Sequence, residues 1–163
     1  MNIRERASEI KGIFYTNCKD IIFEPPRLTK TESQKCLGDG TLFSEIKFIG
    51  DYLLNFNEEI INGYLTRYSY EYICLGTGFF FVYENEGRAN GITKPLHHLH
   101  VGIKKDLFDA DLLNFLPEML IEHDGPHYKA PEIKFNEFMG MIIVNFFKDH
   151  RNSRKLLKSL GLR

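Results

Sequence analysis

Residues 65–75 read LTRYSYEYICL and carry the clearest structural pattern of the sequence. Aromatic and polar residues alternate along it, and in an extended strand successive side chains point to opposite faces. One face carries Tyr68, Tyr70 and Tyr72, and the other carries Arg67, Ser69 and Glu71. The pattern predicts a strand with one buried face. The tyrosine stripe is therefore interpreted as a half-buried sheet face in preference to a platform on which nucleic-acid bases stack.

The sequence on both sides of this stretch predicts further strands of an antiparallel meander. Strands are predicted at residues 43–49, 52–60, 79–83 and 97–103, with turns at 50–51, 62–63 and 76–78. The Asn62-Gly63 pair is a strong signal for a two-residue hairpin loop. A short strand is also expected at residues 20–24, ended by Pro25 and Pro26, and a loop is expected over residues 27–40.

Apolar spacing predicts helices near both ends of the chain. Residues 2–11 fit a short polar helix, and residues 106–114 and 152–160 fit two further short ones. Residues 133–147 repeat apolar side chains every three to four positions, which predicts a long C-terminal helix with Pro131 as its first residue. The expected fold is a single α+β domain over residues 1–163, an antiparallel β-meander with helices packed on one face.

Composition excludes several classes of protein. The chain has 163 residues, 43% of them hydrophobic, and a formal net charge of −1. These values disfavour a disordered chain and a globally basic nucleic-acid binder. No apolar run approaches the roughly 20 residues that span a membrane. The three cysteines are widely spaced without a CxxC pair, so free thiols and a cytoplasmic location are expected.

A histidine cluster is the strongest chemical signal in the sequence. Five of the six histidines fall between residues 97 and 127: His97, His98, His100, His123 and His127. On a strand, His98 and His100 point to one side, where such a pair can bind a metal or hold two acid–base groups. Glu84 and Glu86 follow the preceding predicted strand and can converge with this pair. The competing interpretation is structural, with the rings hydrogen-bonded to tyrosines or backbone.

A second polar feature is the basic tail from residue 151 onward. It includes Arg151, Arg154 and Lys155 and has no acidic residue. Such a tail can dock phosphates or an acidic partner, although a solvated terminal helix explains it equally well.

Four segments in order resemble a known family. They are LLNFNEE (53–59), RYSYEY (67–72), FFFVYENE (79–86) and PLHHLHVG (95–102). This set resembles the TumE-type proteins, small toxin components of bacterial toxin–antitoxin systems, although Glu84 stands where that family usually has Asp. The resemblance implies a toxin-like protein that acts on RNA or DNA and is encoded beside a helix-turn-helix antitoxin. By position in the shared segments, the candidate residues are Arg67, Tyr83, Glu84, Asn85, His97, His98 and His100.

The leading hypothesis is therefore a cytoplasmic, toxin-like nuclease. His98 and His100 would act as acid–base or metal-binding groups, assisted by Glu84 and Arg67. Substrate binding would fall to Tyr83, Asn85, His97, Arg151, Arg154 and Lys155. The hypothesis predicts both histidines in an open cleft, with Glu84 or Arg67 within about 4–6 Å.

Cofactors and alternatives remain open at this stage. No residue is assigned as a metal ligand and no cofactor is required, although a divalent metal is compatible with the residue types. One alternative is a non-catalytic module that binds protein or nucleic acid, and another is a metal-dependent hydrolase unrelated to toxins. The oligomeric state is not predicted.

Overall fold

In the part of the chain that the structure describes, seven strands follow one another and pair in the same order, each antiparallel to the next. The computed structural model describes residues 1–23, 27–33, 38–87, 95–107 and 127–162. The strands are β1 (Thr29–Glu32), β2 (Gly40–Phe48), β3 (Tyr52–Ile61), β4 (Tyr64–Cys74), β5 (Phe79–Asn85), β6 (His98–Ile103) and β7 (Tyr128–Lys129). The predicted antiparallel meander is confirmed.

Tight turns set the register of the central strands. Asn62 and Gly63 have φ angles of 52° and 79°, as in the two-residue hairpin turn that favours Asn-Gly. Across the next hairpin, Tyr70 lies opposite Tyr83, and Ser69 lies opposite Glu84. Because side chains alternate along each strand, this register decides which residues share a face.

Helices cover one face of the sheet. They are α1 (Ile3–Gly12), which continues as a π-helical turn (Ile13–Asn17), α2 (Phe135–Phe146) and α3 (Ser153–Ser159). Asn2 and Glu5 form a capping box that fixes the start of α1. Among the described residues, no helix combines the length and the apolar character needed to cross a membrane.

The main core lies between these helices and the tyrosine face. Tyr70 and Tyr72 are fully buried, and the ring of Tyr70 lies 5.2 Å from that of Phe135 and 5.3 Å from that of Phe138 in α2. Aromatic pairs at such separations add stability beyond the area they bury. The tyrosines are therefore sheet-core residues, as predicted, and are not accessible for base stacking.

A buried ion pair ties α1 to this core. Arg6 donates hydrogen bonds of 2.7 and 2.6 Å to the two carboxylate oxygens of Glu58, and the Tyr70 hydroxyl donates another of 2.5 Å. Burial alone would lower the pKa of Arg6, but its bonds to Glu58 raise that pKa above the ordinary value on balance. The guanidinium therefore stays charged inside the protein, and the charged pair positions the helix on the sheet.

Two short strands were missed by the sequence analysis. The predicted loop at 27–40 contains β1, and β6 is not the last strand because β7 pairs with it. Both are short edge strands without a long apolar pattern, so periodicity could not reveal them. The strand expected at 20–24 is reduced to one bridge between Ile22 and Phe48, and Pro25 and Pro26 lie outside the described residues.

The C-terminal helix is shorter than predicted. It begins at Phe135 instead of Pro131, since the Glu137 carboxylate accepts the Lys134 backbone N–H at 2.8 Å and caps the helix there. It ends at Phe146, and α3 follows as a separate element. Of the helix expected at 106–114, a 3₁₀ turn (Lys105–Leu107) covers the start, and residues 108–114 lie outside the described ranges.

Candidate histidine–glutamate site

The candidate site lies on the face of the sheet opposite the tyrosine core. Ser69 pairs with Glu84 across β4 and β5, and Glu84 pairs with His98 across β5 and β6. These three residues form a row across the sheet. His100 is two positions beyond His98 on the same face, as strand periodicity predicted.

A third histidine joins the pair from the next strand. Lys129 of β7 pairs with His98, which brings the preceding His127 over the same face. The centre of the His127 ring lies 5.1 Å from that of the His98 ring and 4.1 Å from that of the His100 ring. The centres of the His98 and His100 rings are 4.9 Å apart. One ring nitrogen from each histidine lies within 4.8 Å of the others. Nitrogen donors on three rings therefore converge at one point.

Glu84 connects this cluster to the sheet. Its Oε2 atom lies 3.5 Å from Nε2 of His98 and also 3.5 Å from Nε2 of His100. Its Oε1 atom accepts a hydrogen bond of 2.8 Å from the Ser69 hydroxyl. One carboxylate oxygen is thus held by the sheet while the other faces two imidazoles. The Glu86 carboxylate lies within 4.8 Å of Glu84 and His98 as well.

The orientation of His98 is fixed by its backbone contact. Its Nδ1 atom is 2.9 Å from the carbonyl oxygen of Pro95. A carbonyl oxygen can only accept, so Nδ1 carries the proton that makes this bond. In a neutral ring, Nε2 then holds the lone pair that points toward Glu84.

Both histidines of the predicted pair are buried. His98 is 1% exposed and His100 is 2% exposed, whereas the sequence analysis expected them in an open cleft. The expected proximity to Glu84 holds, at 3.5 Å. Both rings lie in the protein interior, so they can act on a substrate only through a neighbouring residue.

An open cleft of about 390 Å³ lies beside the cluster, and its lining includes Asn57, Arg67, Ser69 and Glu84. Glu84 is the neighbour that connects the cleft to the buried rings. Glu84 therefore lies both in the wall of the cleft and against the buried rings. Three carboxylates line the cleft, those of Glu59, Glu84 and Glu86, against a single guanidinium among the described lining residues.

Arg67 is at the exposed side of this cleft. Its side chain is 62% exposed, and Nε lies 3.4 Å from a carboxylate oxygen of Glu59. An exposed ion pair of this kind contributes little to stability. The guanidinium is therefore available to an anionic ligand at modest cost.

Two predicted binding residues lie on the other face of the sheet. Tyr83 packs edge-on against Phe138 at 6.0 Å, and Nδ1 of His97 lies 3.0 Å from the Tyr68 hydroxyl. The structure does not bring either of them to the cluster. Asn85 lines the margin of the cleft, where its side-chain oxygen accepts the Gly87 N–H at 2.9 Å.

The predicted basic residues are also distant from the cluster in the fold. Arg151 precedes α3, and Arg154 and Lys155 lie within it, all three exposed to solvent. Because Leu156 anchors α3 in the main core, these charges belong to the helical layer. Residues 123–126, with the predicted cluster member His123 among them, lie outside the described residues.

Ser69 is the site residue that the sequence analysis missed. The turn at 76–78 sets residues 73 and 80 opposite each other, and counting back from that pair places Ser69 opposite Glu84. The strand register was therefore the sequence signal that could have identified Ser69 as a site residue. His127 was considered in the sequence, but no local pattern fixed its distance from the strand.

Comparisons with protein-family models, curated proteins and solved structures found no match to this chain. Over the described residues, the fold and the site together define an α+β protein with a single antiparallel sheet. Its distinguishing feature is a cluster of the buried residues Glu84, His98 and His100 with the half-buried His127, beside an acid-rich cleft.

Proposed function

We propose that this protein is a toxin-like nuclease whose reactive centre is Glu84 with His98 and His100. One observation carries the proposal: Glu84 faces the open cleft and is also 3.5 Å from both imidazoles. A substrate in the cleft would meet a carboxylate backed by two buried histidines. This is a small set of convergent polar groups at a concave site, where binding and catalysis are most often found.

The chemistry of phosphodiester cleavage suits these groups. A base must take a proton from the attacking oxygen, and an acid or a metal ion must stabilise the leaving oxygen. Carboxylate and imidazole can fill these roles at neutral pH. Arg67, exposed at the cleft, would hold a phosphate through its planar donors.

The resemblance to TumE-type toxins supports the same class of activity. It extends over the segments that supply Arg67, Glu84, His98 and His100. We therefore include in the proposal a bacterial toxin role, a cytoplasmic site of action on RNA or DNA, and neutralisation by a helix-turn-helix antitoxin.

The proposal is tested by induced expression in bacteria. Wild type should arrest growth, and the double variant His98→Gln/His100→Gln should not, when both accumulate as soluble protein at equal level. His150→Gln is the matched control, because this half-buried histidine lies beyond α2 and outside the cluster. Growth arrest by a folded double variant would contradict the assignment of these histidines.

One observation favours a second function, a non-catalytic module that binds protein or nucleic acid. The near-complete burial of His98 and His100 is what structural histidines would show. In that case the cleft would bind its partner through exposed groups such as Asn57 and Arg67. Wild-type protein that binds RNA without cleaving it, and the double variant binding equally well, would favour this function.

A further inference from the structure

We propose that His98, His100, His127 and Glu84 form a binding site for a divalent transition-metal ion of the zinc class. Three imidazole nitrogens and one carboxylate oxygen are a donor set that favours such ions over Mg²⁺. A catalytic role for the bound ion rests on the proposed function, but metal binding itself does not.

The geometry of the donors fits a shared ion. On tetrahedral Zn²⁺, with bonds of roughly 2.0–2.1 Å, two ligand atoms lie about 3.3–3.4 Å apart. Oε2 of Glu84 is 3.5 Å from Nε2 of His98 and 3.5 Å from Nε2 of His100. The three histidine nitrogens lie within 4.8 Å of one another, and the Glu84 carboxylate lies within 4.8 Å of His98 in an overlapping group that also contains Glu86.

His98 supplies the second, independent observation. Its Nε2 atom is buried and forms no hydrogen bond with any described residue, although the ring is only 1% exposed. Its Nδ1–H is committed to the Pro95 carbonyl, so Nε2 of the neutral ring carries a lone pair. This lone pair faces the carboxylate oxygen of Glu84. A divalent cation between these two buried atoms, which lie 3.5 Å apart, would satisfy both of them, as would a second proton on the ring.

The proposed ligands are oriented by the kind of hydrogen bonds that commonly orient the ligands of metal sites. Ligating histidines commonly donate their other ring nitrogen to a backbone carbonyl, and ligating carboxylates are themselves hydrogen-bonded. Pro95 holds His98 in this way, and the Ser69 hydroxyl holds Glu84. Both contacts aim a donor atom at the centre of the cluster.

The charge of the adjoining cleft supports the same conclusion. Three carboxylates and one guanidinium line it, a formal charge of −2 from these groups, which repels a nucleic-acid backbone. A divalent cation at Glu84 would offset that charge. Lewis-acid stabilisation of a phosphoryl oxygen at the wall of the cleft would require the ion to accept a fifth ligand, because four protein donors fill a tetrahedral site.

Metal binding should be measured on full-length protein purified without a histidine tag. Zn²⁺ is added to chelator-treated protein, and binding is followed by calorimetry and by elemental analysis after dialysis. We expect a single ion per chain. Co²⁺ should give the visible absorption of a low-symmetry, nitrogen-ligated site.

Substitutions of the proposed ligands test whether the ion binds at the cluster. His127→Asn should weaken Zn²⁺ binding by more than the roughly 10–100-fold that loss of an outer hydrogen-bond partner of a ligand typically costs, and Glu84→Gln should also weaken it. His150→Asn is the matched control and should bind as wild type does. Circular dichroism checks that each variant is folded, and the half-buried His127 is the site at which substitution disturbs the core least.

The outcomes separate this inference from the proposed function. Stoichiometric Zn²⁺ that is lost in His127→Asn supports the site, even if no nuclease activity is found. Wild-type protein that binds no Zn²⁺, Mn²⁺ or Co²⁺ overturns the site, and nuclease activity that persists in chelator would then leave the proposed function standing. Equal binding by wild type and by folded His127→Asn also overturns it.

Discussion

The Ser69 hydroxyl donates a hydrogen bond of 2.8 Å to Oε1 of Glu84 across the β4–β5 pair. The bond holds one oxygen of the carboxylate against the sheet. The other oxygen is left facing two imidazoles at 3.5 Å. Ser69 is therefore a positioning residue, which acts on the site through Glu84.

Ser69→Ala should impair the site and leave the fold intact. Without the hydroxyl, the carboxylate can rotate, and second-layer contacts of this kind are worth about 10–100-fold in metal affinity or activity. The loss in free energy of unfolding should be only about 1 kcal/mol. Zn²⁺ affinity and nuclease rate are the measurements. Ser44→Ala is a matched control, since the Ser44 hydroxyl donates to the Arg27 carbonyl away from Glu84. Equal effects of the two substitutions would argue against a positioning role.

Arg67→Ala should weaken binding to RNA. The side chain is 62% exposed beside the cleft, so its removal costs little stability but takes away one phosphate contact. The slope of log affinity against log salt concentration should become shallower by about 1. Lys148→Ala, on the exposed chain after α2, is the control. If the combined alanine variant of Arg151, Arg154 and Lys155 loses more affinity than Arg67→Ala, the nucleic acid docks on the helical layer instead.

Glu58→Gln should strongly destabilise the protein. The substitution leaves Arg6 charged and buried without its anion, which costs about 3–5 kcal/mol. Glu9→Gln removes the other carboxylate partner of Arg6, but Glu9 is 56% exposed, so the loss should stay below about 1 kcal/mol. Urea unfolding measures both. A similar cost for the two variants would show that the buried pair is not what holds α1 on the sheet.

Stability should fall with rising pH above the ordinary thiol pKa. Burial raises the pKa of Cys18 from 9.0 to about 12, so the folded chain keeps this proton while the unfolded chain loses it. The contribution is fully present below pH 9.0. Above that pH, the free energy of unfolding should fall by about 1.4 kcal/mol per pH unit, until the folded thiol also ionises.

Cys18→Ala isolates this contribution. Burial also raises the pKa values of Tyr68, Tyr70 and Tyr72, whose ordinary value is 10.0. These tyrosines begin to ionise in the unfolded chain before pH 10.0, so the thiol's share is the difference between the two profiles, and the alanine variant should show a flatter profile above pH 9.0. Denaturant unfolding in reducing buffer is the measurement. Identical slopes for wild type and variant would contradict the assignment.

The sequence predicted the sheet where a long alternating pattern and a turn signal agreed. This holds for β2 to β6, and strand periodicity also separated His98 and His100 from His97. β1 and β7 were missed, because four and two residues at a sheet edge carry no periodic signal. The start of α2 depends on the cap that Glu137 provides at Lys134, a local bond that outweighed the Pro131 signal.

The candidate site was predicted in part for the same reason. The proximity of Glu84 and His98 follows from the strand order of the meander, because the two residues lie on neighbouring strands. His127 lies 29 residues after His98, and only the two-residue strand β7 brings it back to the site. Burial of the rings was not predicted, since it depends on tertiary packing over this face and not on the strand that carries them.

The most direct test of the account is cleavage of labelled single-stranded RNA and DNA by purified protein, comparing wild type with Glu84→Gln. The amide keeps the shape of the side chain and can still accept from Ser69, but it removes the charge that faces His98 and His100. Wild type and His150→Gln should both cleave the substrate, and folded Glu84→Gln should lose roughly 100-fold or more of that activity. Absence of cleavage by wild type, or full activity in Glu84→Gln, would contradict the assignment of Glu84 to the reactive centre of a nuclease.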